Sequence, residues 1–134
     1  MLVKTYSAAV NGLEVTTVTV EVNITRGILF HLTGLADTAV RESKDRIVAA
    51  MSNTGFKFPV ADITINLAPA DIKKEGSSYD LPLAIGILAA DSKVQSEHLN
   101  EYMLVGELGL DGRLQPIRGG CPLPSVPVPN TTRD

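Results

Sequence analysis

The chain has 134 residues, of which 44% are hydrophobic and 20% are charged, and its formal net charge is −3. This length and composition predict one soluble globular domain and exclude general disorder. The acidic balance argues against a strongly basic nucleic-acid-binding protein, because phosphate contacts need clustered Lys and Arg side chains. The single cysteine excludes an internal disulfide, and the first residues lack the pattern of a secretory signal, so we expect a cytoplasmic protein.

The chain begins with the alternating apolar pattern of β-strands. Residues 3–10 form the first predicted strand, and Asn11-Gly12 favours a tight turn into the second. Along residues 13–24 the apolar side chains shift from odd to even positions at Thr16-Thr17. Because successive side chains of a strand point to opposite faces, this shift predicts a bulge or a kink there.

A three-residue hairpin loop, Thr25-Arg26-Gly27, is predicted to join the second strand to a third strand at residues 28–33. In that third strand we expect Ile28, Phe30 and Leu32 to face the core, while His31 is interpreted as a residue of the other face. Neither His31 nor His98 has the spacing of a metal-binding motif, so no metal site is predicted.

One amphipathic helix is predicted from Asp37, as its N-cap, to about Asn53. Its apolar side chains recur at helical spacing and should lie on the sheet. Its solvent side should carry two ion pairs spaced i,i+4, namely Arg41–Asp45 and Glu42–Arg46. A strand follows, in which Ile63, Ile65 and Leu67 alternate with polar residues.

Residues 71–90 read D-I-K-K-E-G-S-S-Y-D-L-P-L-A-I-G-I-L-A-A, a charged loop that leads into an apolar helix. Residues 81–90 contain no charged side chain, so this helix should be buried on all sides. It is too short for a bilayer, which needs roughly 20 apolar residues. Ser78 or Asp80 can cap its first turn. The side chains expected to share one core are Ile63, Ile65, Leu67, Leu83, Ile85, Ile87 and Leu88.

The same loop has two possible chemical roles. Ser77 and Ser78, at the positive end of a helix and near Lys73 and Lys74, could be a nucleophile with its base or an anion site. Alternatively, the serines cap the helix and the lysines are solvated. We favour this second interpretation, since Ser is among the commonest N-cap residues.

The remainder of the chain contains a polar connection, a strand that begins at Met103, and a hairpin turn at Asp111-Gly112 that leads to a last strand at residues 114–117. Residues 120–134 are rich in proline and are predicted to be extended or disordered. The predicted organisation is therefore a domain at residues 1–119 and a tail at 120–134. The predicted fold class is α/β, or α+β, with a mixed sheet of five to six strands and helices on one face.

Four stretches carry a family resemblance: M-L-V-K-T-Y-S-A-A-V-N-G-L, G-L-A-D-T-A-V-R-E-S-K-D-R-I, residues 63–90, and V-G-E-L-G-L-D-G-R-L-Q-P-I-R-G. In this order they resemble the N-terminal domain of the bacterial magnesium-chelatase-like AAA+ ATPases, the family of the competence ATPase of natural transformation. The resemblance implies a fold similar to the proteolytic domain of Lon. After Gly119 the chain departs from the family pattern, so the last helix and strand of the domain are expected to be missing.

For the whole protein, the resemblance implies a cytoplasmic homo-hexamer with an AAA+ motor in the same chain. That motor would bind ATP and magnesium, and the protein would act on DNA and not on a membrane. The present sequence contains no G-x-x-x-x-G-K-[ST] phosphate loop, so ATP hydrolysis is not expected within it.

Comparison with Lon-type domains places Ser78 at the position of the nucleophile and Cys121 at the position of the lysine base. A serine needs a neighbouring base, and a thiol does not replace a neutral lysine in that role. We therefore expect no catalytic, cofactor-binding or metal-binding residue in this chain, and we interpret it as a non-catalytic accessory domain. The alternatives are a Lon-type serine hydrolase and a nucleic-acid-binding domain.

Overall fold

The computed structural model describes residues 1–116 as an α+β domain. Its strands are β1 (Leu2–Asn11), β2 (Glu14–Thr25), β3 (Phe30–Thr33) and β4 (Asp62–Ala68). Its helices are α1 (Thr38–Arg41), α2 (Ser43–Asn53), α3 (Asp80–Ala90) and a short 3₁₀ helix at Leu99–Glu101. The predicted tail at residues 120–134 lies outside the described residues.

The four strands form one mixed sheet in the order β1-β2-β4-β3. The β1–β2 and β2–β4 pairs are antiparallel, whereas β3 runs parallel to β4. Residues 1–116 contain four strands, so the expected count of five to six is not confirmed. The segment that begins at Met103 makes one main-chain bond to the sheet, from Leu104 N to Tyr6 O. Its next groups bond to the start of α3 instead, through Gly106 N to Ser78 O and Leu81 N to Gly106 O.

The pairing of β1 with β2 contains no bulge. Partners follow one another without a break from Leu2 with Asn23 to Asn11 with Glu14, so the bulge predicted at Thr16-Thr17 was wrong. No bulge is needed to bury the odd-numbered apolar residues, because they lie outside the core: Leu13 is fully exposed in the turn, and Val15 is 40% exposed on the outer face of the sheet.

The connection from β2 to β3 is not the predicted hairpin, because β4 lies between these two strands. Gly27 does have a positive φ of 149°, but glycine is needed there because Asp62 of β4 occupies the space that a side chain would fill. A Cβ at Gly27 would lie 1.9 Å from Asp62 Oδ1, and this carboxylate accepts a hydrogen bond from Leu29 N at 2.8 Å. As a result Ile28 is 79% exposed rather than in the core, while Phe30 and Leu32 pack against the core as expected.

The predicted helix of residues 37–53 is divided in two at Glu42. Asp37 is its N-cap as predicted, and its Oδ1 accepts a hydrogen bond from Val40 N at 2.8 Å. The second helix begins at Ser43, which is buried and bonded to α3. This contact ties the first turn of α2 to α3, directly after the break at Glu42.

The core lies on one face of the sheet, where the helices cover it. Helix α3 crosses β1 and β2 so closely that a Cβ at Gly86 would lie 2.7 Å from Val22 Cγ2, and Thr5 Oγ1 donates to Pro82 O at 3.0 Å. Six of the seven side chains expected in the core are buried there, and only Ile85 is partly exposed. The six are Ile63, Ile65, Leu67, Leu83, Ile87 and Leu88.

This packing predicts a large cost for shortening Leu83, which is 2% exposed. Leu83→Ala should lower the free energy of unfolding by about 2 to 5 kcal/mol, because it removes buried apolar contacts and leaves a cavity. Leu13→Ala is the matched control, and at its fully exposed position the same change should stay within about 0.5 kcal/mol. Denaturant unfolding measures both, and equal effects would contradict the placement of α3.

Candidate functional site

A groove of about 730 Å³ lies between the end of β1 and the loop that leads into α3. One wall consists of residues 8–12, and the other contains most of residues 71–79, with Val105 and Asp37 completing the lining. The loop turns at Gly76, whose φ of 88° is in the left-handed region that favours glycine. Gly76 N also donates to Asp37 Oδ2 at 3.3 Å, which ties the loop to the start of α1.

Lys74 is buried in this loop, so the prediction that both lysines are solvated was wrong for it. Its Nζ donates to the carbonyl oxygen of Gly34 at 2.8 Å and to that of Pro69. Its own main chain bridges to Ala36. Burial lowers the pKa of Lys74. Because its described bonds go to carbonyl groups, Lys74 anchors the loop to the segment that precedes α1.

The two serines have different surroundings, and neither caps α3. Ser77 Oγ donates to Glu107 Oε1 at 2.5 Å, while the main-chain carbonyl of Ser78 accepts from Gly106 N at 2.8 Å. The N-cap residue of α3 is Tyr79, and no side chain caps this helix. The predicted caps, Ser78 and Asp80, were therefore wrong.

Asp80 instead forms the polar centre of the structure. Its carboxylate is fully buried and accepts four hydrogen bonds. The donors are Ser43 Oγ at 2.5 Å, Arg46 Nε at 2.6 Å, Arg46 Nη2 at 3.0 Å and Leu108 N at 3.0 Å. The hydrogen bond to Asp80 raises the pKa of Arg46. Such a satisfied charge can be buried at tolerable cost, and here it connects α2, α3 and the segment around Leu108.

Sequence reasoning missed this cluster because it placed Arg46 on the solvent side. The expected ion pair between Arg46 and Glu42 exists, but its distance of 3.9 Å is longer than the 2.6 Å between Arg46 Nε and Asp80 Oδ2. One signal was present in the sequence: Asp80 directly precedes an apolar stretch that has to be buried, and a buried carboxylate needs a charged partner. Ser43 and Arg46, three residues apart on one helix, share a face and supply three of the four donors.

Tyr79 forms part of the floor of the groove. It is 2% exposed, and its hydroxyl donates to Ala8 O at 3.4 Å. Burial, with the negative charges of Asp37 and Glu75, raises the pKa of Tyr79 to about 12. Among residues 1–116 the lining also includes Asp71 and has Lys73 as its one cation, so this part of the groove is acidic.

The described residues do not place a base beside Ser78. Lys73 is exposed, Lys74 bonds to carbonyl groups, and Cys121 lies outside the described residues. Within residues 1–116 no group of three or more His, Cys, Asp or Glu side chains is placed to hold a metal ion. No helix in this part of the chain is long and apolar enough to cross a membrane. That the chain contains no catalytic residue stays a prediction.

The fold and the groove define a small α+β module in which one loop and one buried helix organise the rest. Residues 20–126 match the family described as subunit ChlI of Mg-chelatase, and the chain belongs to this family. The predicted resemblance to magnesium-chelatase-like proteins is thereby confirmed. The implied likeness to the Lon proteolytic domain stays a prediction.

Several bacterial proteins are similar to the chain. It is 45% identical over 118 residues to competence protein ComM of Haemophilus influenzae, covering 87% of this chain and 23% of that protein. It is also 45% identical to the uncharacterised protein YifB of Escherichia coli, over 85% of the chain and 23% of that protein. A Mycobacterium tuberculosis protein is 45% identical over 89% of the chain and 24% of its own length. The chain thus spans about a quarter of the length of the curated relatives it matches.

The Asp80 cluster predicts that Asp80→Asn is strongly destabilising. The change leaves the Arg46 guanidinium without its counter-charge in a largely buried position, and we expect a loss of about 3 kcal/mol in the free energy of unfolding. Asp91→Asn is the control, because Asp91 pairs with Lys93 at the surface and its loss should cost no more than about 1 kcal/mol. Chemical denaturation of both variants distinguishes them, and a near-neutral Asp80→Asn would contradict the cluster.

The buried environment of Tyr79 predicts that its hydroxyl loses its proton at a higher pH than the hydroxyl of an exposed tyrosine. The difference in tyrosinate absorbance between the wild-type protein and Tyr79→Phe should have its midpoint at about pH 12, against about 10 for an exposed tyrosine. The raised pKa means that the Tyr79 hydroxyl stays protonated to a higher pH in the folded state than in the unfolded state. The contribution of Tyr79 to the free energy of unfolding is therefore complete below about pH 10 and is lost as the pH rises towards 12. A difference midpoint near the ordinary value would show that Tyr79 is not buried.

Proposed function

We propose that this chain is the non-catalytic N-terminal accessory domain of a bacterial hexameric AAA+ ATPase that acts on DNA in transformation or recombination. The observation that carries the proposal is the family match over residues 20–126 together with the similarity to a competence protein. The proposed location of the whole protein is the cytoplasm.

The coverage of the relatives supports a larger protein. About three quarters of the length of the Haemophilus and Escherichia relatives has no counterpart in this chain, and the chain has no phosphate loop. We assign the binding of ATP and magnesium to a motor module in that remaining part. Contact with DNA is assigned to the same part, because the present chain carries a net charge of −3 and its groove is acidic.

The surroundings of the loop support a non-catalytic role. Activation of Ser78 as a nucleophile requires a base within hydrogen-bond distance. Lys74 is the nearest buried amine in sequence, but its ammonium bonds to the carbonyl oxygens of Gly34 and Pro69. A Lon-type hydrolase therefore remains the alternative to be tested, and the accessory role is the one favoured by the contacts.

The full-length protein tests the proposal. It should hydrolyse ATP with stimulation by DNA, whereas the present chain alone should neither bind nor hydrolyse ATP. Calorimetry measures ATP binding, and phosphate release measures ATP hydrolysis. ATP hydrolysis by the isolated chain, or a full-length protein without ATPase activity, would contradict the assignment to a motor module.

Ser78→Ala tests the non-catalytic role separately. In the full-length protein we expect unchanged ATPase activity. In the isolated chain we expect a change in the free energy of unfolding within about 0.5 kcal/mol, because Ser78 does not cap α3. Ser77→Ala, which removes the bond to Glu107, is the comparison. Labelling of Ser78 by a fluorophosphonate probe, or peptidase activity abolished by Ser78→Ala, would favour the hydrolase.

A further inference from the structure

One edge of the sheet is formed by β1, and the pairing with β2 determines which main-chain groups point outward. Met1 and Ile24 exchange two hydrogen bonds, at 3.2 Å and 2.6 Å, so they form a hydrogen-bonded pair. In an antiparallel ladder such pairs alternate with non-bonded ones. Odd residues of β1 therefore bond to β2, and the N–H and C=O groups of even residues point to the open edge.

The open edge is only partly covered within residues 1–116. Leu104 N donates to Tyr6 O at 2.7 Å, and the Tyr79 hydroxyl reaches Ala8 O at 3.4 Å. Beyond these contacts, in the part of the chain that the structure describes, the N–H of Ala8 and both main-chain groups of Val10 have no main-chain partner. An unpaired strand edge of this kind is a template for another extended chain.

These unpaired groups line the groove described above. Its first wall is residues 8–12, and its second wall includes Asp71 and Glu75, both exposed. With Asp37 these carboxylates outnumber Lys73, the single cation that the described part of the chain contributes to the lining. A chain that pairs with Val10 would therefore run beside a row of negative charge.

We propose that this groove binds an extended, basic segment of another protein, which adds as a strand to the edge of β1. Main-chain hydrogen bonds to Ala8 and Val10 would give the register, and Lys or Arg side chains of the segment would face Asp71 and Glu75. This is the mode in which peptides complete a sheet edge, with backbone pairing for affinity and side-chain contacts for specificity.

Two other occupants fit the groove less well. A nucleic acid would bring its phosphates against the carboxylates, which repel them. The tail of the chain itself contains Pro122, Pro124, Pro127 and Pro129, and proline has no N–H to donate to a strand ladder. The acidic wall and the unpaired edge together favour a basic polypeptide.

The experiment uses a fluorescein-labelled octapeptide of alternating Lys and Val, with a peptide of alternating Glu and Val as its control. Fluorescence anisotropy should show saturable binding of the Lys peptide to the present chain and none of the Glu peptide. Asp71→Asn combined with Glu75→Gln should weaken binding by about two- to tenfold, as expected for two surface charge pairs.

Val10→Pro tests the strand pairing. It removes an outward N–H without breaking a bond to β2, as an edge strand tolerates, and it should weaken binding by about tenfold, the equivalent of one hydrogen bond. Lys4→Pro is the matched control, since Lys4 also points its N–H outward but does not line the groove. Its binding should equal that of the wild type.

Amide hydrogen exchange supplies the site-specific measurement. The amides of Ala8 and Val10 should exchange quickly in the free chain and slowly with the Lys peptide, whereas the amide of Ala9, which bonds to β2, should be slow in both. The proposal is overturned if the Lys peptide does not bind, or if Val10→Pro and Lys4→Pro bind it equally. It is also overturned if Ala8 and Val10 are already protected in the free chain, or if fluorescein-labelled single-stranded DNA itself binds the chain and Val10→Pro weakens that binding.

Discussion

The structure depends on one buried ion pair, in which the Asp80 carboxylate binds Arg46, Ser43 and the main chain at Leu108. The carboxylate is at the first residue of α3, so its bonds fix where the loop ends and where the buried helix begins. Through Leu108 they also position the segment that covers part of the β1 edge. The position of the groove between this loop and β1 therefore depends on the fully buried carboxylate of Asp80.

The chemistry of the loop follows from the same constraint. With α3 packed on β1 and β2, the preceding residues have to fold back over the end of the sheet, and Lys74 is drawn inside to satisfy the carbonyl oxygens of Gly34 and Pro69. The outcome is a wall that hydrogen bonds hold in place and that has acidic side chains at its surface. Such a wall suits binding better than proton transfer from Ser78, and it agrees with an accessory role in a larger ATPase.

The sequence predicted the elements that depend on local pattern. The turn at Asn11-Gly12, the N-cap at Asp37, the dry face of β4 and the burial of α3 were all visible in the spacing of apolar, glycine and capping residues. The sequence did not predict the features that depend on contacts between distant parts of the chain. The place of β4 between β2 and β3 and the inward turn of Arg46 depend on partners tens of residues away. The groove follows from those partners.

The most direct test of this account is a double-mutant cycle between Arg46 and Asp80, with Arg46→Gln, Asp80→Asn and the double variant compared by chemical denaturation. A pair that organises the fold should show a coupling energy of about 2 kcal/mol or more, at the upper end of measured contacts. The exposed Lys93–Asp91 pair, as reference, should show less than about 1 kcal/mol. A coupling between Arg46 and Asp80 no larger than that of the exposed pair would contradict the account.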